Sequence, residues 1–178
     1  MNANRKADSD LKAHLDICDK AVGRKPQPGY FYKSIWEFGL KEFRFYQPSK
    51  LTGPELSHVK SCLDLLGFKP RPRKCFYNSQ MLAMHDHTGE IKYVEGYAMN
   101  VIPVLHGWCE INGKVVDFTW RDENKDNFIG TFPDELAYAG VVIPNDTIMK
   151  AQLKTGHAST VLDDYENGWP MFSREFVR

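Results

Sequence analysis

Asn112-Gly113 separates two runs of β-forming residues, VIPVLHGWCEI (101–111) and KVVDFTW (114–120). Asn-Gly between such runs is the strongest short-range hairpin signal, because a two-residue type I′ turn needs positive φ at both central positions. A two-residue loop sets the register. Paired residue numbers sum to 225, so Trp108 faces Asp117 and His106 faces Thr119. Side chains alternate between the two faces of a strand. His106 and Asp117 therefore share a face and lie on a diagonal, with backbones about 7–8 Å apart and side chains within reach. A four-residue loop keeps this parity and a three-residue loop breaks it. The turn thus places a carboxylate beside a histidine.

A cysteine precedes this pair. Cys75 stands where the proline-bearing segment GFKPRPRK meets an apolar, helix-like run, Phe76 to Met84. A thiol at a helix N-terminus feels the positive end of the helix dipole, which lowers its pKa from about 8.5 toward about 3.5–7.5. Cys75, His106 and Asp117 have the chemistry of a nucleophile, a base and a group that orients the base. The Cys75 backbone N–H is a natural donor to an oxyanion. Asn78 and Gln80 are candidate side-chain donors, and Trp108 is a candidate substrate contact beside the histidine. Lys69, Arg71, Arg73 and Lys74 form a basic cluster just ahead of Cys75. It reads as a solvated linker, or as cations that stabilise the thiolate or attract an acidic substrate.

The remaining chain supplies a frame. Leu11, Leu15, Cys18 and Val22 make one stripe of a helix over 9–22, with Ser9 as its cap and Cys18 in the core. Residues 30–46, YFYKSIWEFGLKEFRFY, read as a helix near Ser34–Lys41 followed by a strand, or as two strands. Their rings suit a packing surface or a substrate groove. Residues 52–67 are the clearest helix. Pro54 sits in its first turn, Leu56, Val59, Leu63 and Leu66 form its stripe with Cys62 beside it, and Gly67 stands at a left-handed cap. His58 lies off that stripe and reads as solvated. IKYVEGYAM (91–99) is a further strand, and Gly140–Ile143 a short one. A helix is expected over Asp146–Leu153, capped by Asn145 or Asp146 and ending near Gly156. Trp169, Phe172 and Phe176 read as anchors on the core.

With 178 residues, one domain with a full core is expected, divided into a helical part (1–70), a catalytic core (71–120) and an extension that completes it (121–178). Lys+Arg and Asp+Glu are both 23, so no overall charge favours nucleic acid. Four cysteines without CxxC spacing, no signal-peptide core and no long apolar run point to a cytoplasmic chain with reduced thiols and no membrane span. His85 and His87 lack partners at zinc-finger spacing and read as loop histidines, so no metal or organic cofactor is expected.

The stretch from Cys75 to Trp120 resembles the core of the transglutaminase-like superfamily, within the broader papain-like cysteine hydrolase group. That core carries a cysteine at a helix start, a V-x-G-Y strand, H-A-W on a strand, a glycine-containing hairpin, and an aspartate after V-x-V. The corresponding residues are Cys75, Val94-Glu95-Gly96-Tyr97, His106-Gly107-Trp108, Asn112-Gly113 and Val115-Val116-Asp117. Gly107 stands where alanine is usual, and prolines and cations replace the usual lead-in to the cysteine. The resemblance implies an α+β fold in which a helix carrying the cysteine packs on an antiparallel sheet carrying the histidine and aspartate. It also implies acyl transfer through a thioester, as in amide or isopeptide hydrolases, deamidases and transferases. The substrate is then a protein, a peptide or a small amide or acyl compound. Members of the group that have lost activity imply an alternative, a protein-binding module using the aromatic 30–46 surface.

Overall fold

The hairpin forms in the expected register. In the computed structural model, Cys109 pairs with Val116, Glu110 with Val115 and Ile111 with Lys114. Asn112 and Gly113 both have positive φ, 51° and 77°, as a type I′ turn requires. The structure describes residues 3–46, 48–67, 69–99, 101–120, 136–165 and 169–172. Among these described residues, five strands form one antiparallel sheet: β1 (Arg44–Tyr46), β2 (Lys92–Met99), β3 (Pro103–Ile111), β4 (Lys114–Val116) and β5 (Ala137–Val142), in the order β1-β5-β2-β3-β4. Five α-helices accompany it among the same residues: α1 (Ala3–Ala21), α2 (Ile35–Glu42), α3 (Gly53–Leu66), α4 (Cys75–His85) and α5 (Asn145–Thr155). The architecture is α+β.

Local rules set most boundaries. Thr52 and Glu55 form a reciprocal capping box on α3, Pro54 sits in its first turn, and Gly67 closes it in the left-handed conformation. A cap of this kind stabilises a helix by about 1 kcal/mol. Ser34 caps α2 by accepting from Glu37 N–H at 3.0 Å, and β1 follows, so the 30–46 region is a helix and then a strand. Because β1 joins the sheet beside β5, the first 70 residues are not purely helical.

The boundaries of α1, β4 and α5 and the burial of Cys18 differ from expectation. The first helix starts at Ala3, so Ser9 is an exposed mid-helix residue and not a cap. Cys18 is half-buried, its Sγ 3.4 Å from His14 Nε2, and does not lie in the core. The strand expected over 114–120 ends at Val116, because the Asp117 carboxylate accepts from the backbone N–H groups of Thr119 at 2.7 Å and Trp120 at 3.3 Å. An aspartate that bonds its own downstream backbone diverts the chain from the ladder. Farther on, α5 is preceded by Pro144 without a side-chain cap and closes on left-handed Gly156. Residues 121–135 and the expected anchor Phe176 lie outside the described residues.

One buried cluster gathers Tyr32, Ile35 and Phe38 with Val59, Leu82, Tyr93, Cys109, Ile148, Leu162 and Phe172. It draws on the early, middle and late parts of the chain. The tail is also fastened by polar bonds: fully buried Glu95 on β2 accepts from Thr160 Oγ1, Val161 N–H at 2.9 Å and Leu162 N–H at 3.0 Å. None of the described helices is long and apolar enough to cross a membrane.

Candidate active site

Cys75 is the first residue of α4. Lys74 precedes it and offers no side-chain cap, and the first helical bond runs from Asn78 N–H to Lys74 C=O at 2.8 Å. The amides of Cys75, Phe76 and Tyr77 thus belong to the open N-terminal turn. Two contacts seat α4 on β3: Ser79 Oγ donates to Gly107 C=O at 3.1 Å, and Cys109 Sγ donates to Ser79 C=O at 3.1 Å. Gly107 permits this approach. A Cβ there would lie 2.9 Å from the Phe76 ring and 3.1 Å from Tyr93, which explains a glycine where the resembling family has alanine.

The docked helix brings the thiol to the histidine. His106 and the backbone N–H groups of Gly107 and Phe76 all act on the Cys75 sulfur, each favouring the thiolate. His106 Nε2 is 2.7 Å from Asp117 Oδ2. With Nε2 facing a carboxylate, that nitrogen carries a proton and Nδ1 is left for the thiol. His106 and Asp117 are 3% and 1% exposed, so the pair works away from bulk water. Tyr138 Oη on β5 donates to Asp117 Oδ2 at 3.0 Å. The Trp120 ring stacks on His106 at 4.9 Å and 21°, and Trp108 lies at 6.2 Å and 19°.

These contacts set the charges. Burial disfavours an imidazolium at His106, but Asp117 and Cys75 outweigh it and push the pKa up to about 10. Burial also opposes charge on Cys75, and the His106 bond and charge overcome it, lowering the thiol below its ordinary value. Asp117 is lowered in the same way, His106 winning over burial. Thiol and imidazole are thus both shifted toward the thiolate–imidazolium form, and their protonation steps belong to the coupled group.

Other residues expected at the site are used differently. Asn78 is fully buried and clamps the linker: its Oδ1 accepts from Arg71 N–H at 2.9 Å and its Nδ2 donates to Arg71 C=O at 2.8 Å. Gln80 is fully buried and donates to Ser159 C=O at 2.7 Å, while its own carbonyl accepts from Gln152 at 2.9 Å. Neither amide is free to meet an oxyanion. Trp108 is 0% exposed and supports the imidazole from within the sheet, so it is not a substrate contact. Lys69, Arg71, Arg73 and Lys74 are exposed, and none is among the groups that shift Cys75. His85 and His87 are exposed, with His85 Nδ1 against Met81 C=O at 2.9 Å.

Trp120 and Tyr138 were not singled out from the sequence. Trp120 has a local signal, since Asp117 followed by Thr119 is an Asx-turn spacing that folds the next residues back. Tyr138 has none, because its contact depends on β5 pairing with β2. Comparison with protein-family models, with curated proteins and with solved structures finds no match.

Proposed function

We propose that this chain is a cysteine-dependent acyl-transfer enzyme with a papain-like, transglutaminase-like core, acting on an amide, isopeptide or related acyl group. One observation carries the reading: His106, bonded to Asp117 at 2.7 Å, acts on the Cys75 sulfur at the start of α4, with the thiol lowered and the imidazole raised. The Cys75 thiolate attacks the acyl carbon, and negative charge moves to the carbonyl oxygen. The Cys75 backbone N–H, in the open first turn of α4, faces that charge along the helix dipole. His106 gives its proton to the departing amine as the C–N bond breaks, leaving a thioester on Cys75. Water or a second amine then attacks the thioester, His106 takes the proton, and the thiolate is released. Asp117 and Tyr138 hold the ring through both halves. Hydrolysis, deamidation and transamidation differ only in the leaving amine and the second nucleophile.

The test is site-resolved iodoacetamide labelling against pH, read by mass spectrometry, followed by trapping of the acyl-enzyme with amide and acyl substrates. Rapid labelling of Cys75 at neutral pH and an acyl adduct on that residue support the reading. Labelling as slow as at Cys62 and Cys109, with no adduct, overturns it in favour of a fold that binds partners without chemistry.

A further inference from the structure

We propose that His58, Cys62 and Asp86 bind a zinc ion that clamps α3 to the turn between α4 and β2. None of these residues belongs to the Cys75 group, so the proposal stands apart from the acyl-transfer reading. His58 and Cys62 are four residues apart on α3 and share a face. Asp86 follows the last residue of α4. One ring nitrogen, the Cys62 Sγ and one carboxylate oxygen all lie within 4.8 Å of one another.

The spacing suits the ion. Tetrahedral zinc with bonds of about 2.0–2.3 Å holds adjacent donors roughly 3.3–3.8 Å apart. His58 Nε2 and Asp86 Oδ1 are already 3.2 Å apart, so zinc enters by replacing the proton shared between them. The donor set is imidazole, thiolate and carboxylate, which favours zinc over magnesium or calcium. Three protein donors leave one position. Glu90 Oε2 lies 4.0 Å from His58 Nε2 on a 64% exposed side chain, free to turn in as the fourth ligand.

The surroundings behave as a supporting layer. Asp86 Oδ2 accepts from Ile91 N–H at 2.7 Å, and Oδ1 accepts from Thr88 N–H at 3.0 Å and Thr88 Oγ1 at 2.7 Å. Such bonds orient a metal-ligating carboxylate. Cys62 and Asp86 are buried while the His58 side chain is 23% exposed, so an ion enters from the His58 side. The Cys62 thiol proton leaves to solvent on coordination.

The experiment uses the full chain carrying Cys75→Ser, which removes the other thiol–imidazole pair as a zinc site. Zn2+ is titrated calorimetrically, and Co2+ is followed through its thiolate-to-metal absorption. The expected result is one zinc per chain, lost when His58→Ala is added, and a cobalt–thiolate band lost when Cys62→Ala is added. Glu90→Gln weakens binding about tenfold, the loss of one peripheral ligand. Circular dichroism of the metal-free proteins establishes folding, and His58, on the half-exposed face of α3, is the variant least able to disturb it. Absence of zinc binding in the Cys75→Ser chain, or binding that survives His58→Ala in that chain, overturns the proposal.

Discussion

The molecule holds two Cys–His–Asp groupings with opposite electrostatics. In one, His106 stands between Cys75 and Asp117, and the thiol is lowered. In the other, His58 bonds Asp86, and burial first, then the Asp86 charge, raises Cys62. Burial pushes both thiols up; at Cys75 the imidazole overcomes it, and at Cys62 the carboxylate adds to it. An imidazolium beside sulfur stabilises the thiolate, whereas a carboxylate beside sulfur destabilises it. The proposed nucleophile and the proposed metal donor thus differ in the order of contact and not in residue type. Backbone adds to the contrast: Cys75 opens a helix and two backbone N–H groups favour its thiolate, whereas Cys62 sits near the end of α3.

Several experiments break or sharpen this contrast. Cys75→Ser has the largest expected effect, reducing thiol-dependent acyl transfer to background in a turnover assay while the circular dichroism spectrum is kept. Asp117→Asn removes the carboxylate that orients His106 and lowers turnover about 10²- to 10⁴-fold. The same variant puts an NH2 where Oδ2 accepts from His106 and Tyr138, so a small fall in melting temperature accompanies it. At neutral pH, Cys75 in the unaltered chain is alkylated at least about tenfold faster than Cys62, and His106→Gln abolishes that difference. If His106→Gln leaves the difference intact, the helix start alone lowers the thiol and the comparison fails. Tyr138→Phe removes one donor to Asp117, worth about 1 kcal/mol, and lowers turnover about fivefold.

The pH dependence of stability carries a sign that can be checked. His106 has a folded pKa of about 10, above its ordinary 6.5. Its contribution to stability is complete below about pH 6.5 and is lost as the pH rises through about 10. Asp117 is lowered from 3.8, so its contribution is present above that pH and is lost as the pH falls through the folded value. In Cys75→Ser the thiolate no longer supports the imidazolium, and thermal melts against pH should show the alkaline loss beginning at lower pH than in the unaltered chain.

Some of this was legible in the residues themselves. Asn112-Gly113 set the register that puts His106 and Asp117 on one face, since a two-residue turn leaves no freedom in pairing. Pro54 and Gly67 bounded α3, and the proline segment before Cys75 marked where α4 starts. These are interactions over a few residues, decided by backbone dihedrals and near neighbours. The same local logic failed where a side chain competed with the ladder, as Asp117 does when it ends β4 at Val116.

Long-range closure decided the rest. Polar residues on α4 look alike in sequence, yet Asn78 turns to Arg71 and Gln80 turns to Ser159 and Gln152. Only the packed helix reveals that neither is left for substrate. Tyr138 reaches Asp117 because β5 lies beside β2, and His58 meets Asp86 because α3 lies against the end of α4. Sequence alone determined the order of Cys75, His106 and Asp117 and the shared face of the last two. Tertiary structure alone decided which groups surround each sulfur, because the field at a buried thiol comes from residues distant in the chain and close in space.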